Sequence, residues 1–179
     1  WIVLGLFLAL MIGTPLVFTP ITRSVFEVNK LLLLRVVTLF TLFFWAFRAI
    51  LYKDNGADPT LYKWMKLRLE WPIGIWLALN ILSTIFSQNL YVAIIGSYDR
   101  WEGILTLFNY MFLLLMVAQL ITKRYQVRVL FWAILGSTAL SAFYGVIQSL
   151  GYDIMSWSKD PQQRVFACIN NPVHFCAYV

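Results

Sequence analysis

The 179-residue chain is 61% hydrophobic and only 12% charged, with a formal net charge of +6 and a mean hydropathy of +0.75. A soluble domain carries about 25% charged and about 45–50% apolar residues, so the composition points away from an ordinary water-soluble domain and predicts a membrane protein. Nor does the positive charge predict nucleic-acid binding, because a basic patch needs solvated surface and here Lys and Arg fill short gaps between apolar runs.

Crossing about 30 Å of hydrocarbon takes roughly 20 apolar residues. The first apolar run, 1–19, just reaches that length, and Pro15 should bend it near its far end. After the polar stretch PITRSVFEVNK, a second span runs over 31–52. YKDNGADPTLYKWMKLRLEW is rich in charge and turn residues, and a third span follows over 72–87, with Pro72 in its first turn. QNLYVAIIGSYDRWE is apolar enough to touch a membrane but too short to cross one. A fourth span covers 103–121, and a fifth covers 129–150 after the short gap TKRYQVR. The polar loop 151–171 then leads to the start of a sixth, 172–179. The expected architecture is therefore all-α: one polytopic transmembrane helix bundle of five spans plus the start of a sixth. Trp1 follows no initiator Met or basic n-region, and the chain stops inside an apolar run, which reads as truncation at both ends.

Orientation follows from Lys and Arg in alternate gaps. Arg48, Lys53, Lys63, Lys66 and Arg68, and then Lys123, Arg124 and Arg128, fall on one side. Arg23, Lys30, Arg100, Lys159 and Arg164 fall on the other, in loops that also carry acids. The N-terminus is expected to be cytoplasmic, with the loops 20–30, 88–102 and 151–171 facing outward.

Ala133, Ser137, Ser141, Gly145 and Ser149 recur every four residues along the fifth span. Small residues at this spacing let another helix approach closely, so they form a packing seam before they form a substrate groove. Asn80 and Asn109, with Tyr110, lie at membrane depth and should face the bundle interior, where interhelical hydrogen bonding or ligand binding would satisfy them. Arg48 can snorkel to headgroups. Arg35 lies only about 7 Å below Lys30 along a helix, so lipid anchoring accounts for it, with a substrate phosphate as the alternative.

The outward loops carry more. Gly96 permits a tight bend, and Asp99, Arg100 and Glu102 crowd before a helix start. An arginine beside a helix N-terminus suits an oxyanion. An interfacial loop with Tyr98 and Trp101 in an aromatic belt, and Arg100 paired to Asp99 or Glu102, is the plainer reading. Arg164 repeats the arrangement ahead of Asn171, which is suited to cap a helix, and Pro172, which is suited to its first turn. Two outward arginines of this kind would together suit a diphosphate at the membrane surface. Cys168, Cys176 and His174 do not amount to a zinc shell, which needs a fourth ligand. No metal or cofactor is expected.

At these loops the sequence resembles the O-antigen ligase and O-antigen polymerase superfamily. SQNLYVAIIGSYDRWEGILTLFNYMFLLL carries one part of the resemblance, at Ser87, Gly96, Arg100, Gly103 and Tyr110. YGVIQSLGYDIMSW and RVFACINNPVHFCAYV carry the other, at Tyr144, Gly145, Gln148, Arg164, Asn171, Pro172 and Ala177. Residues 71–179 are covered. The chain departs from the superfamily in having Asn-Pro-Val-His where many members have Asn-Pro-Asn, and Cys168 or Ile169 where a glycine or threonine is common.

The resemblance implies a multi-pass enzyme of the bacterial cytoplasmic (inner) membrane. Such an enzyme transfers a polyprenyl-diphosphate-linked glycan to lipid A core, growing polysaccharide or a protein hydroxyl on the outer face. It implies that Arg100 and Arg164 offset charge on the diphosphate; Arg35, from its depth in the second span, is a third candidate for that contact, and Asp99, Tyr110, Asn171 and His174 are candidate supporting residues. The base that activates the acceptor would lie in a large outward loop beyond Val179. A membrane transporter of inorganic carbon or another small anion, and a non-catalytic assembly subunit, are the competing classes. A reconstituted uptake assay set against glycan transfer separates the first of these.

Overall fold

The computed structural model describes residues 1–19, 25–51, 70–98, 100–153, 155, 157, 160 and 162–179. Seven helices occupy them: α1 (Ile2–Leu16), α2 (Glu27–Leu51), α3 (Glu70–Ile85), α4 (Leu90–Ile95), α5 (Ile104–Leu120), α6 (Arg124–Ser149) and α7 (Pro172–Tyr178). No strand occurs among the described residues, so the all-α expectation holds there.

Two helices, over Glu27–Arg48 and Arg124–Ser149, are long and apolar enough to cross a membrane. Ile2–Leu16, Trp71–Ile85 and Ile104–Leu120 are apolar but shorter. At 1.5 Å per residue, even the 17 residues of α5 extend only about 25 Å. Local chemistry sets these limits. Pro15 stands in the last turn of α1, and Gly103 bounds α5 with no side-chain cap. Both long helices start earlier than their apolar runs suggest. The Gln126 Oε1 accepts from the backbone N–H groups of Lys123 (3.0 Å) and Thr122 (3.1 Å), which draws the gap 122–128 into α6. A Gln reaching back over the first turn in this way is half of a capping box.

The chain divides into two compact units, Trp1–Leu6 with Leu34–Gln126, and Phe7–Leu33 with Val127–Val179. In the first unit, Leu34, Val37, Thr41, Ile104, Thr106, Leu113 and Met116 are buried. Trp45 donates through Nε1 to the Gln119 Oε1 at 3.3 Å, giving a buried amide an aromatic partner. The stretch 88–102 forms a short element: α4 is capped by Asn89, whose side chain accepts from the Val92 N–H, and it packs on α3 and α5. The chain leaves it at Gly96, with φ +100, a position where any side chain would strike the backbone of Trp101.

Two asparagines in these apolar helices bond within their own helix. The Asn80 Nδ2 donates to the Trp76 carbonyl and the Asn109 Nδ2 to the Leu105 carbonyl, both at 2.7 Å. Their partners thus lie in their own helices, which corrects the expectation of bonds between helices. A side-chain amide that reaches the carbonyl one turn back satisfies one of its donors there.

In the second unit, Phe7, Leu10, Phe26, Ser137, Ser141, Gln148, Phe166, Ala167 and Cys168 are buried. Of the small-residue stripe on α6, Ser137, Ser141 and Gly145 are buried and form a packing seam, whereas Ser149, at its end, is exposed. The Ser137 Oγ donates to the Ile134 carbonyl at 2.9 Å and lies 3.0 Å from the Tyr178 Oη, so α7 sits directly on it. Gly145 meets the Phe175 ring, to which an added Cβ would come within 2.7 Å. Overpacking such a seam costs about 1–3 kcal/mol. Ser141→Leu should therefore lower the thermal midpoint of the detergent-solubilised protein, while Ser141→Ala should leave it near the wild-type value.

Candidate functional site

The polar centre of the second unit is Asp153, just beyond the end of α6. Tyr144 and Gln148 stand four residues apart, hence on one helix face, and both donate to its carboxylate. The Tyr144 Oη reaches Oδ1 and the Gln148 Nε2 reaches Oδ2, each at 2.9 Å. The Met155 N–H donates to Oδ1 at 3.1 Å, an Asx turn, and the Trp157 Nε1 donates to Oδ2 at 2.6 Å. Burial pushes the Asp153 pKa up, but these donors, Met155 first and then Gln148, Trp157 and Tyr144, outweigh it and hold the group below its ordinary value.

Aromatic rings surround this carboxylate. Trp157 stacks on Phe26 at 5.5 Å and meets Phe166 edge-on at 5.2 Å, while Phe18 stacks on both Phe26 and Tyr144 at 5.8 Å. Further along, the Ala167 N–H donates to the Gln148 Oε1 at 2.8 Å, and the Lys30 Nζ donates to the Cys168 carbonyl at 2.8 Å. Burial, partly offset by Lys30, pushes the Cys168 thiol pKa up.

Arg164 is exposed and opens onto a groove of about 440 Å³ walled by Val165, Pro172, Val173, Phe175 and Cys176. The Asn171 Oδ1 accepts from the Val173 N–H at 2.9 Å and Pro172 takes the first turn, the arrangement expected from sequence. Cys176 is free and exposed, and His174 is exposed on α7 without lining the groove. Among the described residues no three His, Cys, Asp or Glu side chains gather as metal ligands.

No protein-family model, no curated protein and no solved structure matches this chain.

The remaining candidates lie in the first unit. Arg100 is exposed in a turn where its N–H donates to the Ser97 carbonyl at 3.1 Å, beside Tyr98 and Trp101, whose rings are 5.9 Å apart. Asp99 lies outside the described residues, as do Arg23, Lys53, Lys63, Lys66, Arg68 and Lys159, which enter the orientation count. Tyr110 is exposed on α5. Arg35 is half-buried on α2, and its Nη2 is buried without a hydrogen-bond partner. The structure thus brings Arg164 and the first turns of α7 together around one groove, with Asn171 capping that helix but not lining the groove. Arg35 and Arg100 belong to the other unit.

Sequence reasoning missed Asp153 and Trp157. The available signal was a single acid soon after a Tyr-x-x-x-Gln face.

The pH dependence has a definite sign. A depressed carboxylate contributes stability that is present above its unfolded pKa and lost as pH falls through its lower folded value. Asp153→Asn should melt below the wild type at pH 6, and the gap should narrow as pH drops below the ordinary value of 3.8. Thermal melts from pH 6 to pH 2 measure it.

Proposed function

We propose that this chain is part of an integral-membrane glycosyltransferase of the O-antigen ligase type. It would transfer a polyprenyl-diphosphate-linked glycan to an acceptor on the outer face of a bacterial cytoplasmic membrane. The observation that carries the reading is Arg164 at the mouth of an apolar groove. A polyprenyl diphosphate is an anion joined to a hydrocarbon chain, and a guanidinium beside Val165, Pro172, Val173 and Phe175 offers a partner to each part. The residue resemblance at Arg164, Asn171 and Pro172 supports the same class.

Under this reading all five apolar helices cross the bilayer with the N-terminus cytoplasmic. The shorter α1, α3 and α5 would be accommodated by local thinning and by snorkelling of flanking side chains. The acceptor hydroxyl attacks the sugar carbon and gives up its proton to a base expected beyond Val179, the bond from that carbon to the diphosphate oxygen breaks, and Arg164 offsets the charge that builds on the leaving diphosphate. Arg100 and Arg35 are separate candidates for contact with the same class of anion.

Removing one such charge-stabilising donor typically costs about 10²–10³ in rate. In the full-length protein Arg164→Ala should lower transfer of a polyprenyl-diphosphate-linked glycan by that order without loss of membrane insertion, and Arg100→Ala should also impair it. Normal transfer by both variants overturns the assignment.

A further inference from the structure

Gln148 is fully buried, and its one amide group is used at both ends. Nε2 donates to the Asp153 Oδ2, and Oε1 accepts from the Ala167 N–H. A carboxamide presents a donor and an acceptor on neighbouring atoms, and Gln carries it one methylene further than Asn. One partner, Asp153, follows α6 and the other, Ala167, lies three residues beyond Arg164, so one side chain closes Ala167 onto the helix that ends before Asp153.

What it closes is under tension. Ala167 is fully buried with φ +45, a left-handed conformation that a non-glycine residue keeps only where its surroundings enforce it. The enforcing bonds are the one to Gln148 and, at the next residue, the one from Lys30 to the Cys168 carbonyl. Arg164 precedes this point by three residues. Val165, which forms the wall of the groove beside it, packs against Gly145, to which an added Cβ would come within 3.3 Å. Gly145 and Gln148 are neighbours on the same helix face.

We propose that Gln148 is a positioning residue: by bridging Asp153 and Ala167 it fixes Arg164 and the Val165 wall of the groove on α6. Its consequence for turnover rests on the transferase reading, whereas its consequence for geometry does not. Without the bridge, Ala167 relaxes toward ordinary backbone angles, the stretch 164–167 shifts on α6, and Cys168, now 3% exposed, meets solvent.

The test uses the full-length protein in membranes. Alkylation of Cys168 and Cys176 by N-ethylmaleimide is followed by peptide mass mapping, in the wild type and in Gln148→Leu, which keeps the bulk and removes both hydrogen bonds. Cys168 labelling should rise tenfold or more in the variant while that of the already exposed Cys176 stays unchanged. The KM for the lipid-linked donor should rise about tenfold with a smaller change in kcat, whereas a merely structural defect would lower kcat with the folded fraction and leave KM alone. Gln148→Asn should fall between. If Gln148→Leu does not accumulate, Asp153→Asn carries the same labelling test with a smaller expected rise. Cys168 labelling as slow as in the wild type, in a folded variant, overturns the proposal. Faster Cys168 labelling in the variant, together with a wild type that transfers no glycan, sustains it and removes the transferase reading instead.

Discussion

An ionised carboxylate among aromatic rings has to be supplied with donors, and Asp153 is supplied from both directions along the chain. Tyr144 and Gln148 come from the helix behind it, Met155 and Trp157 from the segment ahead. An acceptor-only group withdrawn from water costs free energy unless its lone pairs are met. Meeting them fixes where α6 ends, which way the chain turns and how the Trp157 ring lies. That ring then packs with Phe26 and Phe166, and Phe166 leads directly into Ala167 and Cys168. The order in this corner of the protein thus propagates from one charge, through hydrogen bonds and then through ring packing, to the groove beside Arg164.

The groove combines two kinds of recognition that are weak apart. An exposed arginine in water gains little from a single anion, because screening and side-chain entropy consume most of the attraction. An apolar trough alone accepts any hydrocarbon. Set side by side, they select molecules that join a charged head to a greasy tail, and Gly145 permits the juxtaposition by letting Phe175 and Val165 settle against α6.

Much of the helical order was legible because apolar runs and their breaks follow from composition alone. The Asn171–Pro172 helix start was legible too, since both residues act on their nearest neighbours. The small-residue stripe on α6 could be read because its period is the helix's own. Three things could not be read. The starts of α2 and α6 lie in polar sequence, and only the reach of Gln126 back to Lys123 shows why the latter helix begins where it does. Asn80 and Asn109 suggested partners across the bundle, yet a carbonyl one turn back was closer at hand. Asp153 left no periodic trace, because its donors arise from a helix face, an adjacent turn and a tryptophan beyond it. Of the candidate site, Arg164 and its helix start were visible as residues. The groove and the buried Gln148 that reaches both Asp153 and Ala167 became visible only in three dimensions.

The bond from Lys30 to the Cys168 carbonyl spans 138 positions of sequence. A ribosome adding roughly 5–20 residues per second needs on the order of seven to thirty seconds to cover that distance. Throughout that interval the ammonium at the start of α2 lacks its eventual acceptor and has to be kept wet, while the helices between are being made and placed. The bond that ties the first turn of α2 to this corner can therefore form only after the loop beyond α6 has been made.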